Sequence, residues 1–141
     1  MTRTGLRLIA LACVAAVLTL GAACSGSSEQ PTLDGTTWRL ASWAEPDPVP
    51  ASVTITAEFA DRRIAGSAGI NRYTAPVTTG VDGSFNVEPP ISTKMAGPAE
   101  AMAAETAYLQ RLQAATSYTI EGDRLVVNDA DGEPSLTFSR T

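Results

Sequence analysis

The chain has 141 residues, a length that suits one domain and leaves no room for a second sizeable core. It carries 10 Lys and Arg against 15 Asp and Glu, no histidine and 2 cysteines, which excludes Ser-His-Asp and Cys-His nucleophile systems, histidine-containing zinc sites and a disulfide framework. The formal net charge of −5 also opposes a phosphate-tracking surface, because Lys and Arg supply most nucleic-acid affinity, so no nucleic-acid partner is expected.

The first segment reads as an address rather than as fold. Of its first 23 residues 16 are apolar. Arg3 and Arg7 precede an apolar run from Leu8 to Leu20, and Gly21-Ala22-Ala23 follows, the three-part layout of a secretory signal. The run is short for a membrane-spanning helix, which needs about 20 residues. A cysteine directly after the small residues resembles the lipobox of bacterial lipoproteins, with Ala22, Ala23 and Cys24 in pattern and Gly21 where that family usually has Leu. This resemblance implies a diacylglyceryl group on Cys24, which becomes the first mature residue and holds the chain to the extracytoplasmic side of a cell membrane. Two acyl chains anchor stably where one does not. The alternative is a plain secreted protein with a free thiol at Cys24. Cys13 lies inside the apolar run and leaves with the signal.

Residues 24–32 follow as a polar tether rich in Ser and Gly, with nothing to bury. From Cys24 onward the chain has 8 bases and 15 acids, a formal −7, so lipid rather than a basic patch has to hold it at an anionic membrane.

From Leu33 to Thr141 short β-like runs alternate with turn signals. Thr37 to Ala44 places Trp38, Leu40 and Ser42 on one face by period two, and the proline-rich residues 46–50 end that strand. Trp43, five residues after Trp38, is expected on the opposite face, partly exposed, as a candidate contact for a partner or a glycan. Val53, Ile55, Ala57 and Phe59 alternate with Thr54, Thr56 and Glu58, the clearest half-buried strand. Asp61-Arg62-Arg63 turns the chain into Ile64 to Ala68. Val81-Asp82-Gly83-Ser84 predicts a hairpin turn before Phe85 and Val87. Pro98 to about Ala115 predicts the single helix, with Pro98 in its first turn, Glu100 near its positive end, and a narrow stripe of Met102, Leu109 and Leu112 with Glu105 or Thr106 between them. Tyr118 to Ile120 and Leu125 to Val127 flank the turn Glu121-Gly122-Asp123, and Asp131-Gly132 leads into Leu136 to Phe138. The expected fold is a small α+β domain, an antiparallel sheet curled into a partial barrel with one amphipathic helix.

Five spaced signatures in this stretch resemble the META domain, or HslJ-like, family. They are Leu33-Asp34-Gly35-Thr36-Thr37-Trp38-Arg39-Leu40; Gly66-Ser67-Ala68-Gly69-Ile70-Asn71-Arg72-Tyr73; Thr93-Lys94-Met95-Ala96-Gly97; Glu105, Tyr108, Leu109 and Leu112; and Tyr118, Ile120, Gly122 and Leu125. The resemblance covers nearly all of residues 33–141. It implies a small antiparallel β domain with one helix, found in envelope and lipoprotein contexts linked to stress or virulence, without an established catalytic activity or cofactor. The family's two usual cysteine positions hold Ile70 and Gly97 here, so a disulfide or thiol role at those positions does not transfer, and stability must come from packing.

Candidate sites follow from residue type. Asn71, Arg72 and Tyr73 after two glycines are read chiefly as loop structure, with the Tyr73 hydroxyl toward water, and secondarily as a ligand or partner surface. Lys94 is the sole lysine and can act as a base or Schiff-base nucleophile if buried, with exposure the default. Asn128 to Glu133 has the oxygen donors of a calcium loop but is too short for an EF-hand, so a charged hairpin turn is expected and no metal site. The expectation is a lipid-anchored envelope protein whose domain binds or supports other envelope components. The alternatives are an enzyme using Lys94 or the acids Asp129 and Asp131, and a protein inhibitor or assembly factor.

Overall fold

A computed structural model describes residues 31–44 and 48–141; the expected signal, Cys24 and most of the expected tether lie outside the described residues. The alternating apolar runs form nine strands, β1 (Thr36–Trp43), β2 (Thr56–Ala60), β3 (Arg63–Ser67), β4 (Arg72–Thr79), β5 (Phe85–Val87), β6 (Ile91–Ser92), β7 (Ser117–Glu121), β8 (Arg124–Asn128) and β9 (Pro134–Arg140), with helix α1 (Ala99–Ala114) between β6 and β7. All pairings are antiparallel, in the order β5-β4-β3-β2-β1-β9-β8-β7, with β6 beside β4. The ends of this order meet: Phe85 N donates to Thr116 O at 2.9 Å and Tyr118 N to Gly83 O at 2.8 Å. The expected partial barrel is thus nearly closed, which leaves little unpaired edge. Because consecutive strands run up and down, the β2–β3, β4–β5 and β7–β8 turns share one end, and the β3–β4 and β8–β9 loops and the helix approach share the other.

Local chemistry explains how the barrel starts and turns. Leu33 is buried, Gly35 takes φ +77°, and the Thr36 hydroxyl donates to Leu33 O while accepting Trp38 Nε1 at 2.7 Å. The opening signature therefore tucks the chain under the barrel and fixes the indole of Trp38. Asp61 and Arg62 both lie at positive φ, 52° and 58°, in the two-residue turn between β2 and β3. That combination is the type I′ geometry whose twist suits a hairpin, at a steric cost that glycine would not carry.

Three expectations are corrected. β4 was not foreseen as a strand, yet Tyr73, Ala75 and Val77 alternate inward along it. In β1 the pairing with β9 shifts between Leu40 and Ser42, so that Leu40 faces Phe138 and Trp43 faces Leu136. The extra residue resets the phase of the strand, which puts Trp43, not Ser42, on the face of Trp38 and Leu40. The buried face of α1 is Ala101, Ala104, Glu105, Tyr108 and Leu112, while Met102 and Leu109 stand at its flank, half-buried. Two alanines bring the helix close, and Tyr108 fills the gap between walls. Its ring lies 5.5 Å from Tyr73 on β4 and 6.4 Å from Phe138 on β9. Those strands stand four places apart around the ring, so the helix lies across the barrel's end.

Two glycines are close approaches. A Cβ at Gly66 would stand 2.1 Å from the Thr56 carbonyl oxygen, so only glycine lets β3 pass there. A Cβ at Gly97 would meet Ile70 Cγ1 at 2.7 Å. The two positions that bear cysteine in the resembled family are therefore neighbours, and here the branched Ile70 side chain occupies the space of both. Their joint replacement is a volume exchange. Gly97→Ala is expected to destabilise the domain by about 1–3 kcal/mol through overpacking, and the same change in an Ile70→Ala background to be neutral or stabilising. Equilibrium urea unfolding of the four variants measures this, and equal effects in both backgrounds would refute the exchange.

Candidate functional site

The signature residues converge where β4 begins. Asn71 is 2% exposed and Glu105, on α1, is 6% exposed. Asn71 N donates to Glu105 Oε2 at 2.9 Å and Asn71 Nδ2 to Glu105 Oε1 at 3.0 Å, so both carboxylate oxygens are held by one residue. Nδ2 also donates to Met95 O at 3.2 Å, and Oδ1 accepts from Thr93 Oγ1 at 2.7 Å and Met95 N at 2.8 Å. Two residues along the strand, Tyr73 Oη gives its proton to Thr56 O at 3.0 Å, which leaves Tyr108 Oη as donor to Tyr73 Oη at 2.6 Å. Residues two apart on an extended chain share a side, as do residues three apart on a helix. Asn71 and Tyr73 thus meet Glu105 and Tyr108 as two rungs of one ladder. Among the described residues no buried side-chain nitrogen or oxygen lacks a partner.

The chief reading of Asn71 as loop structure agrees with its bonds to the Met95 backbone, whereas the expectation of a Tyr73 hydroxyl toward water is corrected. Both are buried, and the Tyr73 hydroxyl points to Thr56 and Tyr108 rather than to water. Burial pushes the Tyr73 hydroxyl up from its ordinary 10.0, partly offset by the Tyr108 hydrogen bond. Burial raises Tyr108 well above the same value, helped by the neighbouring Tyr73. Arg72, between them in sequence, points outward and is exposed.

The remaining candidates are scattered. Lys94 is exposed on the segment before α1, and no ion pair or hydrogen bond among the described residues joins it to Asp129 or Asp131. Asp129 Oδ1 accepts from Asp131 N at 3.0 Å and Glu133 N at 3.1 Å, and Gly132 takes φ +83°. This acidic stretch is the expected charged turn. Trp43 is half-buried, with the Arg111 guanidinium 5.1 Å from its ring centroid and Arg111 Nη2 donating to Ala44 O at 3.1 Å. Beside it opens a cleft of about 390 Å³ walled by Pro48, Pro50, Glu100, Ala103 and Ala107. On the other flank of α1 a groove of about 520 Å³ runs between residues 92–96 and the helix, walled by Lys94, Met95, Met102 and Leu109 with Asn71 and Glu105 at its floor. An aromatic ring over an aliphatic floor suits apolar or sugar faces, and flexible methionines suit adaptable docking.

Sequence reasoning named Glu105 as a filler of the helix stripe and as a signature residue, and missed its pairing with Asn71. The available signal was an acid at the expected centre of a buried face, which demands hydrogen-bond donors from elsewhere in the chain.

Residues 31–141 match the family model of the META domain. No protein of curated function matches the chain. Among solved structures, an NMR structure of a protein from Burkholderia xenovorans is 26% identical, with a TM-score of 0.65 over 77% of this chain and 83% of that one. A second NMR structure, 16% identical, has a TM-score of 0.57 over 76% of this chain and 90% of that one. A crystal structure of a DUF4847 family protein from Bacteroides vulgatus, 14% identical, has a TM-score of 0.55 over 76% and 93%. The last two share the fold alone.

Two measurements test the ladder. Glu105→Ala is expected to cost about 3 kcal/mol by stranding two buried donors, and the double variant with Asn71→Ala to cost well under the sum, by a coupling of about 1–3 kcal/mol; additive losses would dissolve the pairing. Because the folded chain keeps Tyr73 and Tyr108 protonated where the unfolded chain ionises near 10.0, stability is complete below that pH and falls as pH rises above it. Replacing both tyrosines with Phe should flatten that alkaline slope in chemical unfolding, and an unchanged slope would place its origin elsewhere.

Proposed function

The chain belongs to the META domain family, and from that premise we propose that it is a lipid-anchored cell-envelope protein whose domain acts without catalysis, by binding or supporting other envelope components. The observation that carries this reading is the use made of the signature residues. Asn71, Tyr73, Glu105 and Tyr108 bond to one another and to backbone at the seam between helix and barrel. An enzyme instead needs titratable groups that converge on open space within reach of a substrate. The two depressions flanking α1 are the binding faces of this reading, one offering Trp43 over alanines and prolines, the other Lys94 among methionines. The anchor rests on Ala22-Ala23-Cys24 after an apolar run, with a polar tether behind it.

Cell fractionation tests the anchor. The wild-type chain is expected in the membrane fraction and Cys24→Ser in the soluble extracytoplasmic fraction or culture medium. Membrane association that survives the substitution would reject the lipoprotein reading.

A further inference from the structure

The point at which the tether joins the barrel defines which end of the domain can meet lipid. Tyr118 Oη lies 3.3 Å from Pro31 O and equally 3.3 Å from Gly80 O, so the first described residue sits against the base of the β4–β5 loop. Leu33 is buried just beyond it, and Gly35 N donates to Phe59 O at 2.7 Å, next to the β2–β3 turn. Up-and-down strand order puts the β7–β8 turn at this same end, and α1 with both of its flanking depressions at the opposite one.

We propose that the end formed by the β2–β3, β4–β5 and β7–β8 turns is the membrane-facing surface of the domain, with Val81 in contact with the lipid interface, and that the depressions beside α1 face away from the bilayer. This rests on the lipid anchor at Cys24.

Three independent features support it. The seven peptide units from Cys24 to Pro31 can span at most about 25 Å, whereas an eight-residue strand tilted as in a barrel stands about 20 Å tall. Turning the domain over would require the tether to run nearly straight along the wall. Val81 is 63% exposed at the tip of the loop whose base holds Pro31, and among the described residues it is the exposed large apolar side chain of this end, Ile91 and Met95 lying toward the other. Charge agrees as well. The tether end carries Arg62, Arg63, Arg124 and Arg140 against five acids, near balance, in a mature chain of formal −7. Its approach to an anionic leaflet is therefore scarcely opposed, while the rest of the domain is repelled.

Signal removal takes Cys13, and lipidation blocks Cys24, so a single introduced cysteine is the only free thiol of the mature protein. Lipidated protein purified from membranes, bearing an environment-sensitive fluorophore through Val81→Cys, Ala103→Cys or Asp131→Cys, is placed in phosphatidylcholine and phosphatidylglycerol vesicles containing headgroup-quencher lipid. The label at position 81 is expected to be quenched several-fold more strongly than those at positions 103 and 131. Equal quenching at the three positions, or stronger quenching at 103, overturns the orientation. Mass measurement of the same samples separates the two claims: an unmodified Cys24 defeats the anchor and the orientation together, whereas a diacylglyceryl adduct with equal quenching defeats the orientation alone.

Discussion

The grip of Asn71 on the Glu105 carboxylate is the constraint on which the helix end of the domain depends. Hydrophobic contact is non-directional, and a helix whose buried face is built around Ala101 and Ala104 could slide or roll without losing much area. Two N–H donors from one residue, aimed at two oxygens of one carboxylate, remove that freedom. The same asparagine orders Thr93 and Met95 through its carbonyl oxygen, so strand, helix approach and helix are joined at a single side chain. A buried carboxylate loses its hydration, which makes this a poor device for raising stability and a good one for selecting a single arrangement.

Packing follows from that choice. With the helix held close, the wall-to-wall gap is closed by aromatic rings. Tyr108 meets Tyr73 at 71° and Phe138 at 75°, edge-on arrangements that favour the ring quadrupoles. The neighbouring loop contact is just as tight, because the Ile70 branches take the volume that a side chain at Gly97 would need. A covalent link between these positions would constrain the unfolded chain as well as the folded one. Here the directional bonds a few residues away, at Asn71 and Met95, tie the same two segments in the folded state alone.

Much of this fold was legible because strand burial has period two. Val53 to Phe59 and Leu136 to Phe138 declare themselves, and Asp82-Gly83 and Gly122 declare the turns between strands. What failed was whatever depends on a partner distant in sequence. β4 was hidden because Asn71-Arg72-Tyr73 after two glycines reads as a loop, although Tyr73, Ala75 and Val77 keep the period. The phase slip in β1 is set by its pairing with β9, and nothing within Trp38 to Trp43 announces it. At the candidate site the residue types were visible in the signatures, but their coupling was not. Glu105 and Asn71 are 34 residues apart, and only the folded chain shows that each answers the other's need.

The barrel thus has two ends with different chemistry. One holds tight turns, Pro31 and the nearly balanced charges; the other holds α1, the aromatic cleft and the methionine groove. Because α1 forms a wall of both depressions, the ladder of Asn71, Tyr73, Glu105 and Tyr108 also sets their shape. Trp43 reaches the cleft only through the β1 bulge, and Arg111 then stacks on it from the helix. The polar groups of the ladder therefore act from beneath the helix, Asn71 and Glu105 at the floor of the groove and Tyr73 and Tyr108 deeper in the barrel. They hold a small helix rigidly enough, against a curved sheet, for shallow faces on either side of it to keep a defined form.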